Sequence, residues 1–571
     1  MKTDHPYNDV HELETVQGML LASAERFGEK IALEDLEPRP MGRLTYNDVL
    51  EAVLKFGAAL RAEGMKPRAK IALLSENRLQ WVVGYLTGMA FDYVVVPIDR
   101  NLTSNEIVNI LHESEAEAAL FSDSYADVID EHRRSLKALR LCVNMDRSDE
   151  ERKCRSMLGM MAAVEPAPVE SLPKIDPNAL AALLFTSGTL GRSKGVMLTQ
   201  RNLAANLVDM VRMILIKPED RFLSVLPIHH TYECTCGVLC PLSVGGSTHF
   251  ARSMKTIPED MRTVKPTILL GVPLLFDKFY KRIIQGMKEK ATTAALGPAL
   301  MKAGDVARRV GFGGFSRKAF GSLHAKFGGA IRMFIAGGAA PDPLVIKGMR
   351  KLGFTMFQGY GLTETSPILA VNRLEAMKDE AAGLPLPRVE LRIDQPDENG
   401  VGEIWAKGPN VMLGYYQNEE ATAEAFEDGW FKTGDFGRID EDGFLIISGR
   451  KKNVIVSKSG KNVFPEELED LLNRSPYVLE SLVFGDVDPK RGEIVAAQIV
   501  PDADAFLELA DKKKRKVSEE FIREVLAKEV ENVNKQVASF KRIIRFETRE
   551  REFEKTTTQK IKRFKEKPSG R

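Results

Sequence analysis

Six short apolar runs constrain this chain more than any other feature: KIALLSE (70–76), YVVVPID (93–99), AALLFTS (181–187), FLSVLPI (222–228), PTILLGV (266–272) and IRMFIAGG (331–338). Runs of this length read as strands. Alternating with amphipathic helical stretches, they predict an α/β fold with layered, largely parallel sheets. From about 383 to 449 the pattern shifts to short strands and Gly/Asp turns, as in PDENGVGEIW and DEDGFLIISGR, which predicts a β subdomain. After Arg450 the chain turns lysine-rich and then helical (PEELEDLLNRS, SEEFIREVLAKEVENVNKQV). That remainder is long enough for a small C-terminal α/β domain over 450–571, behind a large N-terminal domain over 1–449.

A length of 571 residues also calls for more than one domain. The formal net charge of +1 offers no electrostatic reason for a nucleic-acid partner. Five cysteines cannot frame so long a chain, and together with an N-terminus that lacks the basic-then-apolar layout of a signal peptide they suggest a cytoplasmic setting. No run reaches the roughly 20 apolar residues that span a bilayer. Residues 281–330 carry ten Lys/Arg against two Asp/Glu. Two readings stand for them: a solvated helical insertion, or a basic surface that makes peripheral contact with an anionic membrane or an amphiphilic substrate.

In LLFTSGTLGRSKGVMLTQRNL (183–203) an apolar strand runs into Thr186-Ser187-Gly188-Thr189-x-Gly191-x-x-Lys194-Gly195. The spacing is not Walker A. Glycines nevertheless let backbone N–H groups turn inward, hydroxyls donate, and Lys194 adds charge, so the loop suits a polyphosphate. A second polar stretch, LPIHHTYECTCGVLC, pairs His229 and His230 with Cys234, Cys236 and Cys240. Its Cys-x-Cys-x3-Cys spacing is not that of ordinary zinc sites, and the cysteines read as apolar fillers of a buried helix.

The phosphate loop and several motifs after it resemble, in order and across about 13–565, the adenylate-forming superfamily of acyl- and aryl-CoA synthetases, luciferases and nonribosomal adenylation domains. The loop is similar to the family's T-S-G-T-T-G-x-P-K-G, departing at Leu190 and Ser193. FIAGGAAPDP places Gly337, Gly338 and Ala339 along adenine. QGYGLTETSP places Tyr360 and Gly361 at the adenine and Thr363 and Glu364 at the phosphates and Mg2+. GWFKTGD and GFLIISGRKK place Asp435 and Arg450 at the ribose, and EKTTTQKIKRF places Lys560 as the catalytic lysine, with Gln559 for the usual glycine. Lys452 matches the hinge, expected near 450–453, and Val456 stands where a lysine is common, with Lys458 two residues on. Ser459 and Gly460 would lie near the pantetheine path.

The resemblance implies ATP, Mg2+ and CoA as cofactor and co-substrates. A carboxylate attacks the α-phosphorus of ATP, giving acyl-AMP and pyrophosphate, and a thiol then displaces AMP. Lys560, Glu364, Thr186 and His230 would be the catalytic groups, Thr186 and Glu364 the metal ligands, and His230 part of the acyl site. The basic insertion after LLFDKFYKRI resembles long-chain fatty acyl-CoA synthetases most, so a fatty acid is the expected substrate. An acyl carrier protein as acceptor, another carboxylic acid as substrate, and a non-catalytic lipid- or nucleotide-binding protein are the alternatives.

Overall fold

All six apolar runs are strands in the computed structural model: Lys70–Leu74, Val94–Pro97, Leu180–Thr186, Arg221–Ser224, Ile268–Gly271 and Met333–Ala336. The structure describes residues 6–147, 154–186, 194–289, 291–309, 312, 314–456, 461–488, 492–556 and 560–566. Every residue of Val94–Pro97, Ile268–Gly271 and Met333–Ala336 is buried. Burial on both faces is what turns a parallel strand into an unbroken apolar run.

The strands form two large sheets. One runs in the order Gly414–Tyr415, Lys194–Thr199, Leu180–Thr186, Val94–Pro97, Lys70–Leu74, Ala118–Phe121, Leu141–Asn144, Arg155–Ser156. It is parallel from Leu180–Thr186 onward and antiparallel at the Lys194–Thr199 edge. The other has nine strands, parallel from Met356–Gly361 through Met333–Ala336, Ile268–Gly271, Arg221–Ser224 and Ser247–Phe250 to Ile31–Asp35. The helix Leu79–Ala90 is buried at every position, as its apolar residues on all sides require. Thr45 and Asp48 close a capping box on the next-door helix Tyr46–Ala62 and satisfy its first free N–H groups.

The chain divides into two compact units. Met1–Leu391, Ala406–Phe431 and Asp442–Phe444 make the first; Arg392–Trp405, Lys432–Glu441 and Leu445–Arg571 make the second. The 383–449 stretch therefore contributes residues to both. The second unit holds the antiparallel pairing of Asp435–Ile439 with Leu445–Arg450. It also holds a three-stranded sheet of Val478–Asp488, Gly492–Pro501 and Ile543–Thr548. Leu468, Phe506, Phe521 and Leu526 pack its separate core. The basic 281–330 segment lies on the helices Pro273–Glu289, Ala291–Arg309, Phe315–Ala319 and Gly321–Lys326. Among the described residues, no helix is long and apolar enough to cross a membrane.

Phe334 sits at the centre of an aromatic cluster in the first unit, fully buried, with the rings of Phe276, Phe327 and Phe354 at 5.4, 6.0 and 5.2 Å. Phe334→Ala is expected to remove about 3–5 kcal/mol, seen as a lower denaturant midpoint for the transition of this unit. Phe334→Leu should recover most of the loss. Equal midpoints for Phe334→Ala and the wild type would contradict this packing.

Candidate functional site

In the first unit, the phosphate-loop strand and its neighbour are joined through Thr186, which faces Lys194 in antiparallel register. Thr186 Oγ1 donates to the Lys194 carbonyl at 3.4 Å. Residues 187–193, and with them Ser187, Gly188, Thr189 and Gly191, lie outside the described residues. At the sheet edge the two-residue strand Gly414–Tyr415 pairs with Lys194–Thr199, setting Tyr415 opposite Val196. The Lys194 ammonium lies 4.8 Å from the centre of the Tyr415 ring. The same phenol donates to Glu364 Oε1 at 3.0 Å. One tyrosine thus holds the loop's cation on its face and a carboxylate at its hydroxyl. Motif spacing does not point to Tyr415, because its role comes from pairing with a strand more than 200 residues earlier in the chain.

Glu364 reaches this point from a tight turn. Gly361 ends the strand Met356–Gly361, and a Cβ there would lie 1.8 Å from the Pro367 carbonyl oxygen, so only glycine allows the approach. The 3-10 turn Thr363–Thr365 follows, fastened where Leu362 N donates to Thr365 Oγ1 at 3.0 Å. Tyr360, half-buried, packs against the main core. Gly337 is buried, donates its N–H to Gly271 O at 3.0 Å, and has no room for a side chain: a Cβ would lie 2.6 Å from the Tyr232 ring. Gly338, at φ +85°, and Ala339 are exposed directly after it. A buried strand end therefore turns its backbone edge outward at this point.

His230 is half-buried, with its ring centre 4.2 Å from that of His229. The segment after it, Tyr232–Leu239, is a π-helix. Wide turns of this kind recur at functional sites. Cys234, Cys236 and Cys240 are buried, and burial pushes all three thiols up, Cys240 to about 12. They are neutral fillers, in keeping with the spacing.

The second unit gathers the remaining site residues. Asp435 and Arg450 face each other across the antiparallel pair, with Arg450 Nε 2.8 Å from the buried Asp435 Oδ1. Lys452 follows in the turn Lys451–Asn453, where burial and then Arg450 pull its ammonium below the usual lysine range. Lys560 is reached by a fold-back in which Thr556 N donates to Lys560 O at 2.7 Å and Lys560 N donates to Thr556 Oγ1 at 3.1 Å. Lys555 pairs with Glu480 at 2.6 Å on one side, and Arg563 bonds Glu469 on the other. Burial, then the Arg450 cation, pull the Lys560 ammonium down to about 8, with Asp435 opposing and Lys452 adding to the shift. Asp435, Arg450, Lys452 and Lys560 thus form one electrostatic group: three cations around one buried carboxylate. Lys458, Ser459 and Gly460 lie outside the described residues.

Residues 20–416 match a family model described as AMP-binding enzyme, and residues 452–566 match one described as AMP-binding enzyme C-terminal domain. The long-chain-fatty-acid–CoA ligase FadD15 of Mycobacterium bovis is 33% identical over 465 residues, covering 78% of this chain and 74% of that protein. The chloroplastic long-chain-fatty-acid–acyl-carrier-protein ligase AEE15 of Arabidopsis thaliana is 28% identical, covering 85% of this chain and 76% of its own length. Among solved structures, ATP-bound MatB from Rhodopseudomonas palustris superposes with a TM-score of 0.75 at 25% identity, covering 96% of this chain and 97% of that one.

Competitive acetylation across a pH series, read by mass spectrometry at Lys560, is expected to give a midpoint near 8 and to move upward in Arg450→Gln, where one neighbouring cation is gone. A midpoint above 10 in the wild type would contradict the electrostatic group described here.

Proposed function

The chain belongs to the AMP-binding enzyme family, and from that premise we propose that it activates a fatty acid, long chain favoured, with ATP to give acyl-AMP and pyrophosphate, then passes the acyl group to CoA with release of AMP. ATP, Mg2+ and CoA are what acid–CoA ligases of this family use. The observation that carries the reading is the Lys194–Tyr415–Glu364 arrangement beside Thr186, in a chain 33% identical to a long-chain-fatty-acid–CoA ligase.

A carboxylate and a triphosphate repel each other, and negative charge builds on the phosphorus oxygens as they react. Fixed cations at that point lower the barrier most. In this reading Lys194 and the hydroxyls of the loop hold the outer phosphates. Glu364 and Thr186 are oxygen donors of the kind Mg2+ takes, and the phenol donor on Glu364 Oε1 fixes the carboxylate's orientation. Mg2+ held by them would offset the charge of the leaving pyrophosphate. Asp435 accepts from the ribose hydroxyls, Tyr360 stacks on adenine beside Gly337, Gly338 and Ala339, and His230 faces the acyl carboxylate. Lys560 brings its ammonium to the α-phosphate and acyl oxygen.

Each methylene of a fatty chain held against apolar walls would contribute about 0.8 kcal/mol. On the basic segment, Leu296 and Val306 are 61% exposed and Phe312 is 72% exposed. Apolar side chains among so many lysines and arginines suit peripheral contact with an anionic membrane. The acyl-carrier-protein ligase among the relatives keeps a carrier protein as the second candidate acceptor.

Exchange of labelled pyrophosphate into ATP with a panel of acids should be stimulated most by fatty acids, with CoA or carrier protein added afterwards to identify the acceptor. Exchange driven only by short or aromatic acids would overturn the substrate assignment. Lys560→Ala is expected to lower exchange by about 10²-fold or more, and full exchange in that variant would remove Lys560 from the chemistry.

A further inference from the structure

The stretch with two adjacent histidines has neighbours that its sequence does not announce. Asp99 follows the strand Val94–Pro97 and His229 and His230 follow the strand Arg221–Ser224, so all three stand beyond the carboxyl ends of parallel strands, where α/β folds gather ligand groups. One donor atom from each lies within 4.8 Å of the others. His229 is 6% exposed, and its Nε2 has no hydrogen-bond partner among the described residues. That nitrogen faces Asp99 Oδ1 at 3.4 Å. The separation is too long for a charge-assisted hydrogen bond, which closes to about 2.7–2.9 Å. For this pair it matches the gap of about 3.4 Å between two ligands that are each 2.0–2.1 Å from a tetrahedral ion, and a small turn of the half-buried His230 ring would draw the third donor in from a separation of up to 4.8 Å.

We propose that Asp99, His229 and His230 hold a divalent transition ion of the zinc class. Two imidazoles and a carboxylate are a donor set for such an ion and a poor one for Mg2+, which prefers oxygen. The groups are also held in place. Asn101 N donates to Asp99 Oδ1 at 2.9 Å, the outer-shell support that orients a ligating carboxylate. Ile228 N donates to Asn77 Oδ1 at 3.0 Å and Cys234 N to His230 O at 3.0 Å, which fix the backbone on both sides of the histidine pair. Among the described residues, the nearby cysteines are not part of the cluster whose donor atoms meet. An ion here would engage the imidazole of His230. On the reading given under Proposed function, that withdraws His230 from the acyl carboxylate, so zinc would inhibit the enzyme.

The test uses untagged full-length protein stripped with a chelator and titrated with Zn2+ against a chromophoric chelator, with Co2+ as the spectroscopic probe. One equivalent of Zn2+ should bind, Co2+ should show the intense visible bands of a four-coordinate site, and excess Mg2+ should displace neither. Loss of an outer-shell partner weakens metal binding by about 10–100-fold, so losing a direct ligand in His229→Ala or Asp99→Asn should weaken it at least tenfold, with folding checked by thermal melting. Absence of stoichiometric binding in the wild type would overturn the site, as would undiminished binding in both folded variants. Acid-dependent pyrophosphate exchange is read separately. Unaltered exchange at saturating Zn2+ would refute inhibition, and absence of exchange in zinc-free protein supplied with Mg2+ would count against the ligase reading while leaving the binding result to stand or fall on its own.

Discussion

A two-residue strand holds Lys194 and Glu364 in one arrangement. Gly414–Tyr415 pairs with the edge strand Lys194–Thr199, and that register puts one phenol between the Lys194 ammonium and the Glu364 carboxylate. Without the phenol, a lysine and a glutamate near each other would tend to close into an ion pair. Two unit charges 4 Å apart attract by about 1 kcal/mol in bulk water and by about 4 kcal/mol at an effective dielectric of 20, and a closed pair would cancel the field each must present to other charges. Tyr415 offers Lys194 a ring face and Glu364 a hydroxyl, so each charge is anchored without being neutralised. The close packing at Gly361 fixes where the turn carrying Glu364 can begin.

The second unit solves the opposite problem. Asp435 is buried and acidic, and Arg450 supplies its direct partner. Lys452 and Lys560 add two more cations to the neighbourhood than one carboxylate can balance. An excess of positive charge costs stability in the free protein. It suits a site that receives a polyanion, because the ligand then supplies the missing negative charge. Burial first, and the Arg450 cation second, lower the Lys560 ammonium towards neutral pH.

Much of the fold was legible from the amino-acid order, for a physical reason: parallel strands buried on both faces must be apolar at consecutive positions, and 71–74, 93–98 and 333–336 are. Asp435, Arg450 and Lys560, singled out from motifs far apart in the chain, gather in one electrostatic group. Two of the glycine positions have a plainer cause than ligand approach, with Gly337 excluded by the Tyr232 ring and Gly361 by the Pro367 carbonyl. Tyr415 and Asp99 were not legible. Each acts through a strand end brought beside it from far along the chain, and neither spacing nor periodicity records such a meeting. The π-helix at Tyr232–Leu239 escaped for another reason: over eight residues, a wide helix and an α-helix carry the same apolar pattern.

The central claim is that an acid's own oxygen attacks the innermost phosphorus of ATP. Supplying a fatty acid labelled with oxygen-18 in its carboxylate, together with ATP, Mg2+ and CoA, and locating the label by mass spectrometry tests it directly. The account predicts one labelled oxygen in the phosphate of AMP and none in pyrophosphate. Label in inorganic phosphate with ADP as the nucleotide product, or AMP formed without label, would contradict it.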